Sequence, residues 1–128
     1  FKNKKLKLAA ANNPVWILRK DENETPFIEE IKSNKFPVGK HDQDKTSFTA
    51  HEVTLQKGEV VYTFTDGYAD QFGGPKGKKF KYKPLQELLL ANCNKSMEEQ
   101  QKILTTTLEN WKENLEQVDD ILLIGVKV

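Results

Sequence analysis

The sequence predicts an α+β protein in which an antiparallel sheet is followed by two helices and a returning strand. Short apolar segments separated by turn residues fill the chain as far as residue 64, a pattern typical of antiparallel strands. Leucines then recur at helical intervals between residues 84 and 116, which indicates helices with one apolar face. The apolar segment 121–128 ends the chain and predicts one more strand.

The first strands are predicted on either side of a turn signal near the N-terminus. Residues 5–11 and 15–19 are rich in apolar side chains and are joined by Asn-Asn-Pro at 12–14. Because Asn and Pro favour turns, this pattern predicts either a hairpin or a tight link between two strands. The polar residues 20–26 predict a loop, and residues 27–31 predict a third short strand.

A second turn signal lies in the middle of the chain. Residues 40–46 are polar and predict a loop, whereas residues 47–55 alternate weakly and predict a strand. Gln-Lys-Gly-Glu at 56–59 joins that strand to the apolar segment 60–64. This spacing predicts a hairpin with antiparallel pairing.

The second half of the chain carries two helix signals. Pro84 marks the first turn of a helix over residues 84–92, because proline is favoured at the first helical position. Ser96 and Glu99 have the spacing of a capping box and predict the start of a longer helix over residues 96–116. The apolar faces of the two helices are predicted to contain Leu85, Leu88 and Leu89, and Leu104, Leu108, Trp111 and Leu115, respectively.

Composition limits the classes of function. A chain of 128 residues suits one domain or a large part of one. A net charge of +1 gives no overall attraction to nucleic acid, and no apolar run is long enough to span a bilayer. The single Cys93 excludes an internal disulfide and fits a reducing compartment. We therefore expect no nucleic-acid partner and a cytoplasmic location.

Acidic residues lie at the ends of two predicted strands. Asp66 follows the strand at 60–64, whereas Asp119 and Asp120 precede the strand at 121–128. If these strands pair antiparallel, the end of one lies beside the start of the other, and we expect Asp66 and Asp119 to lie close together. Clustered carboxylates are tolerated around a hard cation, and a donor set of oxygens alone favours Mg²⁺ or Mn²⁺ over Zn²⁺.

Each acidic motif also has a simpler interpretation. Asp66-Gly67 is a favoured pair for a tight hairpin turn, and Asp119-Asp120 could be a solvated pair that ends the preceding helix. The residues alone leave these interpretations open. The joint position of the two motifs favours a metal site only when it is combined with the family resemblance described below.

A run of lysines follows the first acidic motif. It could attract a phosphoprotein or a nucleic acid. The simpler interpretation is a solvated, mobile loop, since the net charge is near zero and no nucleic-acid motif accompanies the run. The run comprises Lys76, Lys78, Lys79, Lys81 and Lys83, with Phe80 and Tyr82 between them.

Four segments, in this order, resemble the C-terminal half of a SpoIIE-like phosphatase, from the bacterial branch of the metal-dependent (PPM-type) Ser/Thr protein phosphatases. Ala-Ala-Ala-Asn-Asn-Pro at 9–14 is similar to the family's Asn-Ala-Gly-His-Asn-Pro, and Phe-Pro-Val-Gly at 36–39 is similar to Pro-Leu-Gly. Tyr-Thr-Phe-Thr-Asp-Gly-Tyr-Ala-Asp at 62–70 resembles the Tyr-Thr-Asp-Gly block. Asp-Asp-Ile-Leu-Leu at 119–123 resembles Asp-Asp-Ile-Thr-Leu.

The resemblance implies a sandwich of two antiparallel sheets flanked by helices, with two Mg²⁺ or Mn²⁺ ions at one end. It implies that a water bridging the ions attacks phosphoserine or phosphothreonine directly, without a phosphoenzyme. Asp66 and Asp119 match metal ligands of the family, and the resemblance implies no catalytic residue beyond such ligands. Gly67, Asp70 and Asp120 match supporting positions, with Asp70 standing where the family has Glu.

The resemblance also shapes our expectations about the whole protein. The family's other metal-binding acids belong to an N-terminal half, so we expect residues 1–128 to be the C-terminal part of the domain, inactive alone and prone to self-association. Asn12 replaces the usual His and Ala11 the usual Gly, so that turn is expected to differ. Implied partners are a phosphorylated protein such as an anti-anti-sigma factor and upstream sensor modules, which could anchor the parent to a membrane. The alternative is a non-catalytic regulatory or interaction domain on a degenerate phosphatase scaffold.

Overall fold

The structure is a computed structural model that describes residues 4–39 and 47–128. The predicted loop at 40–46 lies outside the described residues. Five strands come first: β1 Lys4–Leu8, β2 Val15–Lys20, β3 Pro26–Ile31, β4 His51–Leu55 and β5 Val60–Phe64.

The remaining elements confirm the predicted order of a sheet, two main helices and a returning strand. A short helix and a short hairpin, neither of which was predicted, are inserted after β5. These elements are α1 Gly67–Asp70, β6 Phe72–Gly73, β7 Lys78–Lys79, α2 Tyr82–Ala91, α3 Met97–Lys112 and β8 Leu123–Lys127.

All strand pairs are antiparallel, and four strands form the main sheet in the order β3-β2-β5-β8. The predicted pairing of β5 with the final strand is confirmed: Phe64 lies opposite Leu123, and Val60 lies opposite Lys127. A separate two-stranded sheet contains β1 and β4. The α+β fold with antiparallel sheets and helices is therefore confirmed.

Of the two alternatives predicted at 12–14, the structure has the tight link, whereas the hairpin predicted at 56–59 does not form. β1 pairs with β4 and β2 pairs with β3 and β5, so the turn at 12–14 is the tight link between strands and carries the chain from one sheet to the other. β4 and β5 likewise belong to different sheets. A turn sequence dictates where the chain reverses but not which strand becomes the neighbour, because the neighbour is chosen by burial of side chains distant in sequence.

A charged contact shows what holds the second of these turns in place. The Glu59 carboxylate accepts a hydrogen bond from the backbone N–H of Gln56 (2.8 Å) and pairs with Arg19 of β2 (2.8 Å). Arg19 also pairs with Glu29 of β3 (2.5 Å). The turn is therefore tied to the main sheet, and the same guanidinium also donates to the carbonyl of Thr54 in β4 (3.4 Å).

Helices α2 and α3 cover one face of the main sheet. Leu85 and Leu89 are buried and Leu88 packs beside them, as the periodicity predicts. Ser96 and Glu99 form the predicted capping box, and their hydrogen bonds hold the pKa of Glu99 below its usual range. The buried cluster on this face contains Trp16, Leu18, Val60, Tyr62, Phe64, Tyr68, Phe80, Leu85 and Leu89, against which Leu104, Leu108 and Trp111 also pack.

The long helix is shorter than predicted. It ends at Lys112 rather than at residue 116, because Glu113 adopts a left-handed backbone conformation (φ 49°). The predicted position of Leu115 on the apolar face is therefore wrong, and its side chain is 46% exposed.

The opposite face of the main sheet has a smaller cover. Ile17 and Ile31 are buried there together with Leu55 of the two-stranded sheet.

Within residues 4–39 and 47–128, β8 has a strand neighbour on one side only. No helix of the described chain is both long enough and apolar enough to cross a membrane. Exposed apolar side chains are found along the last strand, at Leu122, Ile124 and Val126.

Candidate active site

Two acidic segments meet where β5 ends and β8 begins. Beyond the last strand pair, the backbone N–H of Thr65 donates to the carbonyl of Leu122 (3.0 Å). The Thr65 hydroxyl donates to the carbonyl of Asp120 (2.7 Å) and accepts from the N–H of Leu122 (3.0 Å). One threonine side chain therefore ties the segment before Asp66 to the segment after Asp119.

Gly67 is in direct contact with the second acidic segment. It is buried, and a Cβ at this position would collide with the carbonyl oxygen of Asp120 and lie 2.9 Å from the carbonyl carbon. Gly67 begins α1 and has no positive φ. The interpretation of Asp66-Gly67 as a hairpin turn is therefore wrong: the glycine is needed for close approach of two backbones.

Asp66 is half-buried and occupies the residue just before α1. An aspartate there ordinarily accepts a hydrogen bond from the helix N-terminus, but the Asp66 side chain makes no capping bond. No hydrogen bond or ion pair to its carboxylate occurs within the described parts of the chain. Its oxygens are therefore open to a ligand.

Asp119 and Asp120 are exposed and lie in the link between α3 and β8. One Asp119 carboxylate oxygen accepts the N–H of Asp120 (2.8 Å), and the Asp119 carbonyl accepts a bond from the Gln117 side chain (2.9 Å). The interpretation of the pair as the end of the helix is wrong, because α3 ends at Lys112. The link instead places the backbone of Asp120 against Gly67 at the start of α1.

Asp70 points to a different neighbour. It lies one turn after Asp66 on α1, with its N–H donating to the Asp66 carbonyl (2.9 Å). Its carboxylate pairs with Lys79 of the β6–β7 hairpin (3.0 Å). In this arrangement Asp70 anchors the hairpin next to Asp66.

Sequence reasoning missed two residues of this region, Thr65 and Tyr82. Tyr82 begins α2, and its ring lies 5.9 Å from the rings of Trp16 and Phe64. Partial burial, followed by the negative charges of Asp66, Asp70 and Glu30, raises the pKa of Tyr82. The start of α2 therefore faces the same carboxylates. For Tyr82, the only signal in the sequence was its position as an aromatic residue within the lysine run.

The donor chemistry fits one side of a site for a hard cation. Asp66 and Asp119 offer only carboxylate oxygens, which Mg²⁺ and Mn²⁺ prefer. Within residues 4–39 and 47–128, however, no group of three or more His, Cys, Asp or Glu side chains is arranged to hold a metal ion. The described residues therefore fit part of a ligand set, and the two assignments remain predictions.

A groove of about 660 Å³ lies between α3 and β8. Tyr62, Tyr68 and Leu104 are among its lining residues, and none of the five predicted site residues lines it. The groove does reach their neighbours in the chain, because Tyr68 follows Gly67 and Ile121 follows Asp120.

Comparison with known proteins gives matches over the whole chain. A family model described as Stage II sporulation protein E (SpoIIE) matches residues 1–128. The SiaA-PP2C domain of Pseudomonas aeruginosa is 24% identical, with a TM-score of 0.83 over 97% of this chain and 46% of that chain. No curated protein sequence matches.

Two solved structures of SpoIIE from Bacillus subtilis are also similar. The PP2C phosphatase domain with a fragment of the regulatory domain is 15% identical, with a TM-score of 0.63 over 96% of this chain and 33% of that chain. The phosphatase domain is 12% identical, with a TM-score of 0.59 over 99% of this chain and 58% of that chain. This chain therefore spans less than two thirds of each matched structure and shares the fold of that part.

Proposed function

The chain belongs to the SpoIIE family, and we propose that it is the C-terminal part of a Mg²⁺- or Mn²⁺-dependent phosphatase domain that acts on phosphoserine or phosphothreonine in proteins. One observation carries this proposal. The half-buried Asp66, whose carboxylate makes no capping bond, is followed by a glycine in contact with the backbone of Asp120. Two acidic segments are thereby held together, while the Asp66 carboxylate has no hydrogen-bond or ion-pair partner among the described residues.

Each residue of the site has a proposed role. Asp66 and Asp119 would hold the cations, and Thr65 and Gly67 would fix the distance between the two acidic segments. Asp120 would support the second ligand. When bound, two such ions supply an activated water and a clamp for phosphoryl oxygens.

The proposal is tested in the complete parent domain by Asp66→Asn and Asp119→Asn. Each variant removes a charged metal ligand while keeping its shape, so we expect Mn²⁺-dependent hydrolysis of a phosphothreonine peptide to fall by at least about 1,000-fold, several kcal/mol of transition-state stabilisation. Glu87→Gln, on the exposed side of α2, is the matched control and should retain activity. Thermal unfolding should be unchanged in all three. Full turnover in both aspartate variants would remove the metal assignment.

Residues 1–128 alone are expected to show no appreciable hydrolysis. An incomplete set of carboxylates binds hard cations weakly, and the described chain offers only part of a set. Purified chain is assayed with Mn²⁺ and a phosphopeptide, with the complete parent domain as positive control. Robust hydrolysis by residues 1–128 would show that the site is complete without other segments.

A second candidate function is a non-catalytic regulatory or interaction domain on a degenerate scaffold. The incomplete ligand set in the described residues is compatible with both candidates. The sequence of the parent gene before Phe1 separates the two candidates over about 100 residues, a typical domain length. An Asp-Gly pair on a predicted strand there supports the enzyme, and its absence supports the interaction domain.

The biological setting is an extension of the same proposal. Family membership supports a phosphorylated anti-anti-sigma factor as the substrate, a cytoplasmic site of action and sensor modules elsewhere in the parent. Incubation of the complete parent with such a phosphoprotein, followed by phosphate release, tests the substrate. Release from an unrelated phosphoprotein at the same rate would contradict it.

A further inference from the structure

The lysine run has a definite structure. We call residues 71–83 the lysine hairpin: it contains β6, β7 and the first residues of α2. Its interpretation as a loop is wrong at Lys78–Lys79, which form β7, and at Lys83, which lies in α2. All five lysines are exposed, and the segment contains no acidic residue.

The base of the lysine hairpin is bound to the helices. The Trp111 indole donates to the carbonyl of Gln71 (3.0 Å), and the N–H of Gly74 donates to the carbonyl of Trp111 (2.8 Å). The Phe80 ring packs edge-on against Trp111 (5.4 Å) and Tyr68 (5.2 Å). The lysines are thus presented from a base that α1 and α3 hold in place.

Most of the positive charge on the hairpin is not neutralised. Lys79 pairs with Asp70, but the other four lysines of the run have no carboxylate within ion-pair distance among the described residues. Lys5 and Lys20 pair with glutamates, whereas Lys32, Lys95 and Lys102 also have no carboxylate within ion-pair distance among the described residues. The run differs from these single lysines because its four unpaired lysines lie together between positions 76 and 83, in a segment without acidic residues. For a chain whose net charge is only +1, this is a local concentration of free positive charge.

This charge lies next to the candidate site. The Lys79 partner Asp70 ends the short helix that Asp66 precedes, and the N–H of Asp70 donates to the carbonyl of Asp66 (2.9 Å). Tyr82, three residues after Lys79, lies close enough to Asp66 and Asp70 for their charges to raise its pKa. The C-terminal side of the lysine hairpin therefore borders Asp66 and Asp70.

We propose that the lysine hairpin is a docking surface for acidic residues that flank the phosphorylated residue of a protein substrate. This inference rests on the proposed phosphatase function. Exposed charges of one sign beside a site raise the local concentration of substrates of the opposite sign. A phosphopeptide rich in Asp and Glu meets that condition. Its docking would bring the phosphate close to the proposed metal site at Asp66.

The same surface is less suited to nucleic acid. Binding of single strands depends on aromatic faces on which bases stack. In the hairpin Phe80 is buried, and the Phe72 ring has the Lys79 ammonium 5.9 Å from its centre. The Tyr82 ring packs against Trp16 and Phe64. Phe72 and Tyr82 are still 40% and 36% exposed, but each ring already contacts neighbouring side chains. The hairpin therefore presents more free charge than free aromatic surface.

The test uses the complete parent domain with Mn²⁺ and two phosphothreonine peptides that differ only in flanking glutamates or glutamines. The triple variant Lys76→Glu, Lys78→Glu, Lys83→Glu removes positive charge but leaves the Lys79–Asp70 pair. The control triple Lys32→Glu, Lys95→Glu, Lys102→Glu changes net charge equally at exposed positions outside the hairpin.

We expect the hairpin variant to raise KM for the acidic peptide about tenfold, as several exposed charge pairs are lost. Its kcat, and its activity on the small substrate p-nitrophenyl phosphate, should be unchanged. The control triple should keep the wild-type preference for the acidic peptide. Addition of salt should weaken that preference in the wild type.

A binding measurement separates this proposal from the proposed function. Fluorescence anisotropy of the labelled acidic phosphopeptide reports docking without turnover, so docking that depends on the hairpin supports the surface even if hydrolysis is absent. Equal binding of the acidic and neutral peptides by the wild type would overturn the docking surface. Equal losses in the two triple variants would also overturn it. Tighter binding of a single-stranded oligonucleotide than of the acidic peptide, lost in the hairpin variant, would overturn it in favour of nucleic acid.

Discussion

The two faces of the main sheet differ in how completely this chain covers them. Under the helices, Trp16 and Tyr62 face each other across β2 and β5 and are both fully buried. On the opposite face, the row Ile17, Val61 and Val126 crosses the same sheet. Ile17 is fully buried, whereas Val126 is 56% exposed.

The cause of the difference is the width of each cover. Two long helices span the first face, but the second is covered by the two-stranded β1–β4 sheet, whose Leu55 lies over Ile17 and Ile31. The β1–β4 sheet therefore does not cover the part of the main sheet near β8. The helix-covered face is a finished core, and the open face is a surface that further strands or a second chain can bury.

The largest expected effect is on the finished core. Trp16→Ala removes a fully buried ring that packs 4.3 Å from Phe64, so we expect a loss of about 3–5 kcal/mol in the free energy of unfolding. Val126→Ala, on the open face of the same sheet, should cost less than about 1 kcal/mol because its side chain is already half in water. Urea unfolding of both variants measures the contrast. Similar losses would mean that the two faces are equally packed.

Buried tyrosines in the finished core should also lower the free energy of unfolding at alkaline pH. Burial, with a smaller contribution from Cys93, raises the pKa of Tyr62 to about 12, and burial also raises that of Tyr68. A raised pKa contributes stability that is complete below the unfolded value of 10 and is lost as pH rises toward 12. We expect Tyr62 to account for about 2–3 kcal/mol of this loss.

Tyr62→Phe tests the assignment. The variant loses the hydrogen bond from Tyr62 to the buried Gln100 side chain (2.7 Å), so it should be less stable at pH 7. Its stability should then fall less steeply between pH 10 and 12 than that of the wild type. Parallel pH profiles for the two proteins would show that the pKa of Tyr62 is the same in the folded and unfolded states.

The open face should make residues 1–128 self-associate. Apolar side chains at Ile124 and Val126 lie on a strand with an unpaired edge within the described chain, and such edges favour pairing with another strand. Light scattering at micromolar concentration should show dimers or larger species. Ile124→Glu with Val126→Glu should weaken association at least about tenfold. A compact wild-type monomer with cooperative unfolding would mean that this face is covered.

The smallest expected effect is at the junction of the acidic segments. Thr65→Val keeps the side-chain shape but leaves the Asp120 carbonyl and the Leu122 N–H without the hydroxyl, at a cost of about 1 kcal/mol. Thr65→Ser keeps the hydroxyl and is the matched control. In the complete parent domain, the valine variant should also need more Mn²⁺ for half-maximal activity. Equal Mn²⁺ dependence of both variants would show that the hydrogen bonds of Thr65 do not affect metal binding.

Local signals in the sequence determined most of the elements. The capping box at Ser96 and the leucines of α2 needed only neighbours within one or two turns, so their patterns could be recognised without a fold. The acids at the ends of β5 and β8 were recognisable for a related reason. Their predicted proximity depended on the pairing of β5 with β8, and these two strands do pair.

Only the tertiary structure decided which strands became neighbours and what individual residues do at the junction. Asn-Asn-Pro at 12–14 signals a reversal equally in a hairpin and in a link between sheets, and the choice depends on the burial of distant apolar residues. The role of Gly67 is likewise invisible in sequence, because it depends on the backbone of Asp120, 53 positions away in the chain. Periodicity and capping are local physics, whereas sheet partners, close approaches and free charges depend on contacts between distant segments.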